Sequence, residues 1–286
     1  MPGSGVRPTT SGRTVRIETV KHYVETVFYI RVEEGRVRPG RLSEWMGVSA
    51  PTITVTLQRL ARDGWLKIGS DRSVSLTPKG ETLAVAFVRV HRLLERWLTD
   101  VLGLDWAAAD QEAQLLATGM SERVADRLDE LLGHPATCPH GNVIPGREPP
   151  YGELVPLADL EPGMPASVRR VSEVAEHDAP ELLRELAAYG LVTGARITVA
   201  DADRSVQAVP VEVDGKTRPI GTEVAGLIWV EPEPSATEQV SDARTTAKRR
   251  VRAVAQRAEP GGRLRSDASP RPRSLAGGRA KPRTDL

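Results

Sequence analysis

The feature that most constrains this chain is a change of hydrophobic period at Gly64, bracketed by two helix starts of the same kind. Ahead of it, Ser49 supplies a side-chain N-cap, and Pro51 falls within the first helical turn, where a missing N–H costs nothing. Ile53, Leu57 and Leu60 then recur on one helical face, while Thr52, Thr54, Thr56 and Arg59 fall on the other. After Gly64, Trp65-Leu66-Lys67-Ile68 and Val74-Ser75-Leu76 flank the polar run Gly69-Ser70-Asp71-Arg72-Ser73, a pattern that predicts a β-hairpin. Thr77-Pro78 restarts a helix by the same cap-then-proline logic. These breaks specify a mainly α fold with a small β component.

Upstream, Val20, Val24, Val27, Phe28, Ile30 and Val32 recur at helical spacing until Gly35 and Pro39-Gly40. A short helix fits residues 41–46, closed by Gly47. Helix, short helix, tight turn, helix, hairpin is the order of a winged helix-turn-helix, whose third helix lies in the DNA major groove. Ser49, Pro51, Thr52, Thr54 and Thr56 stand at the start of that helix, placed to meet DNA with the hydroxyls on phosphates, and Arg59 and the hairpin-tip Arg72 add backbone contacts. Hydroxyls at a helix start are often only caps, so the element order and the charge carry the DNA reading. Residues 1–80 hold 13 basic and 7 acidic side chains, and residues 241–286 hold 13 and 4. With +1 overall, the intervening stretch is therefore strongly acidic. Basic ends around an acidic middle suggest a polyanion-binding front and a separate central module.

Downstream, a broad apolar face (Leu83, Phe87, Val90, Leu94, Trp97, Leu98, Val101) predicts a helix to about Leu102. A second helix opens at Asp105 or Ala109 and runs to about 132, with Leu115, Leu116, Val124, Leu128, Leu131 and Leu132 expected inward. Residues 133–156 are rich in Pro and Gly and read as a linker. A helix over 180–189 and β-type runs at 168–171, 196–199, 209–213 and 224–230 then suit a small β-barrel. The boundaries expected are an arm over 1–13, a winged helix over 14–78, a helical domain over 79–135, a linker over 136–156, the barrel over 157–232 and a disordered basic tail over 233–286. The tail either gives salt-sensitive, sequence-independent help to DNA binding or is a passive solubilising segment. The single cysteine, Cys138, excludes an internal disulfide framework, and no apolar run is long enough to span a membrane, so a cytoplasmic protein is expected. No phosphate-cradling Gly loop, nucleophile elbow or catalytic Cys–His arrangement is visible, which argues against an enzyme.

At Ser49-Ala50-Pro51-Thr52-Ile53-Thr54, Leu60-Ala61-Arg62-Asp63-Gly64-Trp65 and Leu76-Thr77-Pro78-Lys79-Gly80 the chain resembles the diphtheria toxin repressor family of metal-responsive regulators. His91-Arg92-Leu93-Leu94-Glu95-Arg96-Trp97-Leu98 and Cys138-Pro139-His140-Gly141-Asn142 continue the resemblance, which covers roughly residues 14–146. It implies a homodimer that binds a palindromic operator and represses metal-uptake genes when Fe²⁺ or Mn²⁺ is bound. Residues 78–102 and 109–132 would form the dimerisation and metal domain, and the barrel would be Src-homology-3-like. Val55 stands where the family member compared has a base-contacting glutamine; a valine can touch a thymine methyl, but the operator sequence does not transfer.

For metal, His91 and Glu95 are i,i+4 on one helix and point the same way. The resemblance adds Asp110 from the next helix, in place of a histidine, and a barrel carboxylate near Glu176, completing the family's ancillary site. Its primary, activating site aligns with His22, Gln114, Ala117 and Thr118, of which only His22 is a strong ligand. The expected function is therefore a metal-responsive repressor. The alternative is a DNA-binding dimer of the same fold that no longer answers to metal. A rearranged site could use His22, Glu25, His91 and Glu95. Cys138 with His140 offers two ligands where zinc needs four, or three and a water, so this stretch is read as a structural linker.

Overall fold

The computed structural model describes residues 15–178, 180–201 and 207–233, without the side chains of Glu176, Asp178 and Pro180. The expected N-terminal arm and, apart from Glu233, the basic tail lie outside the described residues.

The first three helices are α1 (Ile17–Glu34), α2 (Pro39–Trp45) and α3 (Ala50–Arg62). Ser49 caps α3 by accepting the Thr52 N–H, and Pro51 occupies the first turn as the sequence requires. Ile53, Leu57 and Leu60 are buried against Val24, Val27 and Ile30 of α1 and Leu42 and Trp45 of α2. Strands β1 (Leu66–Ile68) and β2 (Val74–Leu76) pair antiparallel, and a bridge from Val37 to Val74 ties the hairpin to the α1–α2 connection. Pro39, expected to end the first helix, begins α2, because proline is better tolerated at a helix start than as a continuation. Val32 faces solvent rather than the core.

Thr77 caps α4 (Pro78–Asp100) and also bonds the Gly64 carbonyl, locking hairpin and helix together. Gly80 is obligatory there, since a Cβ would sit 2.1 Å from the Trp65 carbonyl oxygen. The segment expected as one helix over 109–132 is two, α5 (Trp106–Ala117) and α6 (Glu122–Leu131), with Ser121 capping the second. Their inner face is mostly alanine: Ala109, Ala113, Ala117 and Ala125 pack with Leu128 on Leu93, Leu94 and Leu98 of α4. Leu115 and Leu131, expected inward, are each 71% exposed, and Leu116 and Val124 are exposed as well.

The remaining elements are β3 (Val155–Pro156), a 3₁₀ turn (Leu157–Asp159), β4 (Pro165–Val171), α7 (Glu173–Asp178), α8 (Pro180–Tyr189), β5 (Arg196–Val199), β6 (Ala208–Val213), β7 (Lys216–Gly221), α9 (Thr222–Ala225) and β8 (Ile228–Pro232). The six strands form one antiparallel sheet in the order β3-β8-β4-β5-β6-β7 around Val168, Ile197, Val211, Ile228 and Val230. Val224, expected in a strand, lies in the short α9, and β8 begins later, at Ile228. The strand β4 and helix α7 also reach the N-terminal half. Arg170 and Ser172 both bond the buried Glu33 carboxylate at the end of α1, at 2.5 and 2.8 Å. Arg92 of α4 pairs with Glu173, and His177 stacks on Trp45 with ring centroids 4.6 Å apart.

Candidate metal centre and nucleic-acid interface

The helical repeat of α4 sets His91 and Glu95 one turn apart, and both are buried. From α5, Asp110 brings a carboxylate oxygen to 3.2 Å from His91 Nε2, while Glu95 Oε1 stands 3.7 Å from the same nitrogen. On its other side Glu95 Oε1 is 3.0 Å from His140 Nδ1, and Cys138 Sγ is 3.8 Å from that nitrogen. Two triads result, His91–Glu95–Asp110 and Glu95–Cys138–His140, with the ligand atoms of each within 4.8 Å of one another. Glu95 belongs to both.

The segment read as a linker is what completes this cluster. The loop turns on itself, with Cys138 N–H donating to Asn142 O and Gly141 N–H to Cys138 O. It is pinned to the sheet by Val171 N–H on His140 O at 2.8 Å and by the Asn142 side-chain amide on Val171 O at 3.1 Å. Arg92 bonds the Val143 carbonyl from the α4 side, and Trp106 meets the His140 ring edge-on. Gly141 has φ +89°, and a Cβ there would lie 1.8 Å from the Arg169 carbonyl oxygen, so only glycine lets the loop approach β4. Cys138 and His140 are fully buried. Sequence reasoning held both residues but missed their third partner, 43 residues back on α4.

The electrostatics favour a cation. Burial alone would lower the His91 pKa, yet Glu95 and Asp110 hold it well above 6.5. Burial would likewise raise Glu95, but the neighbouring His140 and His91 keep it far below the ordinary carboxylate range. Despite such neighbours, Glu95 Oε1 and His91 Nδ1 make no hydrogen bond of sound geometry. The ligand atoms of each triad lie within 4.8 Å of one another, close enough to share one ion. Imidazole, thiolate and carboxylate together suit a borderline divalent metal. The residues present therefore fit the ion that the resemblance implies.

A cavity of about 130 Å³ opens beside the cluster, lined by His22, Glu25, His91, Asp110, Gln114 and His177 among others. Glu25, buried on α1, has a pKa raised to about 7, mainly by burial, against the opposing effects of His91 and of hydrogen bonds from Gln114 and Tyr29. His22 lines the cavity with its pKa lowered by burial and by His177, and it is in neither triad. The rearranged set of His22, Glu25, His91 and Glu95 does not gather as a group among the described residues. At the other positions aligned with the primary site, Gln114 is engaged with Glu25, Ala117 is buried in the core, and the Thr118 carbonyl accepts from Lys21 at 2.8 Å. Glu176 lies on α7, but its side chain is outside the described residues.

In the N-terminal part, α3 exposes Pro51, Thr52, Thr54 and Arg59, with Thr56 half-buried. The hydroxyls are partly occupied: Ser49 and Thr52 share a hydrogen bond at 2.9 Å, and Thr54 donates to Ala50 O at 2.8 Å. Arg72 sits exposed at the hairpin tip with φ +64°, next to Asp71, which pairs with Arg36. Val55 and Gln58 are exposed on the same helix, and Lys67 and Ile68 on the hairpin; of these, only Val55 was singled out from the sequence.

Three family models match in series: the iron-dependent repressor N-terminal DNA-binding domain over residues 17–74, the iron-dependent repressor metal-binding and dimerisation domain over 77–146, and the FeoA domain over 155–232. The iron-dependent repressor IdeR of Mycobacterium tuberculosis is 38% identical over 194 residues, covering 64% of this chain and 84% of that protein. The diphtheria toxin repressor of Corynebacterium diphtheriae is 34% identical over 198 residues, covering 65% and 86%. Among solved structures, a manganese-dependent transcriptional repressor in complex with manganese is similar with a TM-score of 0.67 and 31% identity, covering 75% of this chain and 100% of that one. ScaR with bound Zn²⁺ is similar with a TM-score of 0.61 at 27% identity, covering 74% and 98%.

Proposed function

The chain belongs to the iron-dependent, or diphtheria toxin, repressor family, and from that premise we propose how it joins a divalent metal to DNA. It is a metal-dependent transcriptional repressor that binds DNA as a homodimer, with Fe²⁺ or Mn²⁺ as its cofactor and no enzymatic activity. The observation that carries the metal reading is the Glu95 carboxylate, buried, shared by both triads and without a good hydrogen bond at Oε1. His91, Glu95 and Asp110 would hold the ion, together with Cys138 and His140, which the sequence reading set aside. When bound, it would add a positive charge that ties α4 and α5 to the loop before the sheet. His22 and Glu176 are further candidate ligands on the strength of the family alignment.

The sequence supports helix α3 as the groove-entering element, with Ser49, Pro51, Thr52, Thr54, Thr56 and Arg59 facing DNA and Arg72 on the flanking backbone. Exposed Val101, Leu102, Leu115, Leu116, Val124 and Leu131 supply an apolar face around α5 and α6 that a second copy would cover. A two-fold dimer of this kind calls for a palindromic operator. The division into a winged helix to residue 78, a helical domain to 135, a linker to 156 and a sheet domain to 232 assigns one role to each part. Its place of action is then the cytoplasm, where the operator lies. No helix among the described residues is long and apolar enough to cross a membrane.

Operator affinity measured with Mn²⁺, with Fe²⁺ and with chelator tests this reading. A tenfold or greater gain with metal is expected, lost in Glu95→Ala. Equal affinity in chelator would instead favour the same dimer working without metal.

A further inference from the structure

The recognition helix exposes one large apolar side chain, Val55, that its own core does not use. Ile53, Leu57 and Leu60 account for the core contact of α3, and each is at most 2% exposed. Val55 points the other way and is 46% exposed. A β-branched residue on the solvent side of a helix is a poor helix former and gains nothing there from packing. The hydroxyls N-terminal to it offer this face little hydrogen bonding. Thr54 spends its hydroxyl proton on Ala50 O, and of Ser49 and Thr52 one hydroxyl donates to the other. Two of the three hydroxyl protons in the first turn are thus committed within the helix itself. Gln58 and Arg59, three and four residues on, share the face of Val55 and supply its polar contacts from the next turn.

The apolar feature that a major groove offers at base-edge level is the C5-methyl of thymine. We propose that Val55 is a specificity-determining residue that packs on a thymine C5-methyl, so that each operator half-site carries thymine at that position. The inference rests on α3 being the element that enters the groove. A valine there makes no hydrogen bond, so it separates thymine from uracil and cytosine by the methyl group alone. 5-Methylcytosine, which carries a methyl at the same ring carbon, is then tolerated better than cytosine.

The test begins with the full-length, Mn²⁺-loaded chain and selection of bound duplexes from a random-sequence pool. Each thymine of the selected duplex is then replaced in turn by deoxyuridine, which removes the methyl and keeps the pairing edge. One position per half-site should lose about fourfold in affinity, and about fifteenfold when both half-sites are changed, the loss expected for unburying one methyl per site. Val55→Ala should bind the thymine and uracil duplexes equally while its thermal unfolding stays unchanged. Val55→Gln should move the selected base at that position towards adenine, which a glutamine can pair bidentately. Uniform tolerance of uracil, or a uracil penalty that persists in Val55→Ala, overturns the proposal and leaves the repressor reading standing. Failure of the Mn²⁺-loaded chain to enrich any sequence overturns both.

Discussion

Helix α3 presents its outward chemistry from thirteen consecutive residues, while the candidate metal cluster draws His91 and Glu95 from α4, Asp110 from α5 and Cys138 and His140 from a loop held by β4. The first surface needs only a cap, a proline in the first turn and three apolar residues at helical spacing. The second exists only once three parts of the chain have packed. Burial differs accordingly: Val55 and Arg59 are exposed, whereas Glu95, Cys138 and His140 are at most 1% exposed. A reading surface can change residue by residue at little cost to the fold. A buried cluster cannot, because each ligand is also part of the packing that positions the others. Glu25 and Arg92 tie the cluster to its surroundings, since one lies on α1 beside His91 and the other links α4 to both the loop and Glu173.

The sharpest way to break this contrast is at the residue common to both triads. Glu95→Ala should lower Mn²⁺ or Fe²⁺ affinity at least about a hundredfold, roughly 3 kcal/mol, as losing a shared ligand should exceed the effect of losing an outer partner. Calorimetric metal titration measures it, and an affinity within tenfold of the parent would place the ion elsewhere. Gly141→Ala comes next. It removes no ligand atom, but it forces a Cβ into the Arg169 carbonyl at positive φ and should cost about 2 kcal/mol or more in unfolding free energy. It should also weaken metal binding by displacing Cys138 and His140. A variant that unfolds earlier yet binds metal normally would show that the loop is a structural strap and not a ligand carrier.

The winged helix was legible in the sequence because its signals are local. Ser49, Pro51 and Gly64 mark boundaries by backbone chemistry, and the hairpin follows from a change of period. The sheet domain was legible as short strands and one helix, while its contacts through Glu33 and Trp45 had no local signature. The helical domain misled for a physical reason. An apolar stripe that faces solvent in one copy looks in sequence like one that meets a core, so Leu115 and Leu131 read as buried, while the true inner face is the weakly hydrophobic alanine row. At the metal cluster, i,i+4 spacing pointed to His91 and Glu95, and family alignment added Asp110. The pair Cys138 and His140 was visible but short of ligands, because the residue that completes it is distant in sequence. Long-range packing supplies that juxtaposition.

Back on the locally built side, effects should be smaller. Ser49→Ala removes the α3 cap and should cost about 1 kcal/mol in chemical denaturation, with metal affinity unchanged. If metal affinity fell too, the reading helix and the cluster would be more tightly coupled than their separate construction implies.

The smallest expected effect lies on the seam between α1 and α4, where Arg31 grips Glu81 with two hydrogen bonds of 2.6 and 2.7 Å. Both side chains are more than a third exposed, so water screens the pair and Glu81→Gln should cost no more than about 1 kcal/mol. The Arg31 hydrogen bonds hold the Glu81 carboxyl below its ordinary pKa of 4.5, outweighing its partial burial. A carboxyl depressed in the folded state stabilises the fold above its unfolded pKa, and that contribution is lost as pH falls through the lower, folded value. The deficit of Glu81→Gln relative to the parent should therefore be full at pH 7, begin to shrink below about pH 4.5, and close as Glu81 itself protonates. Denaturation curves for both proteins at pH 7, 5 and 3 decide it. A deficit that stayed constant down to acid pH would mean that the seam depends on the shape of the glutamate rather than on its charge.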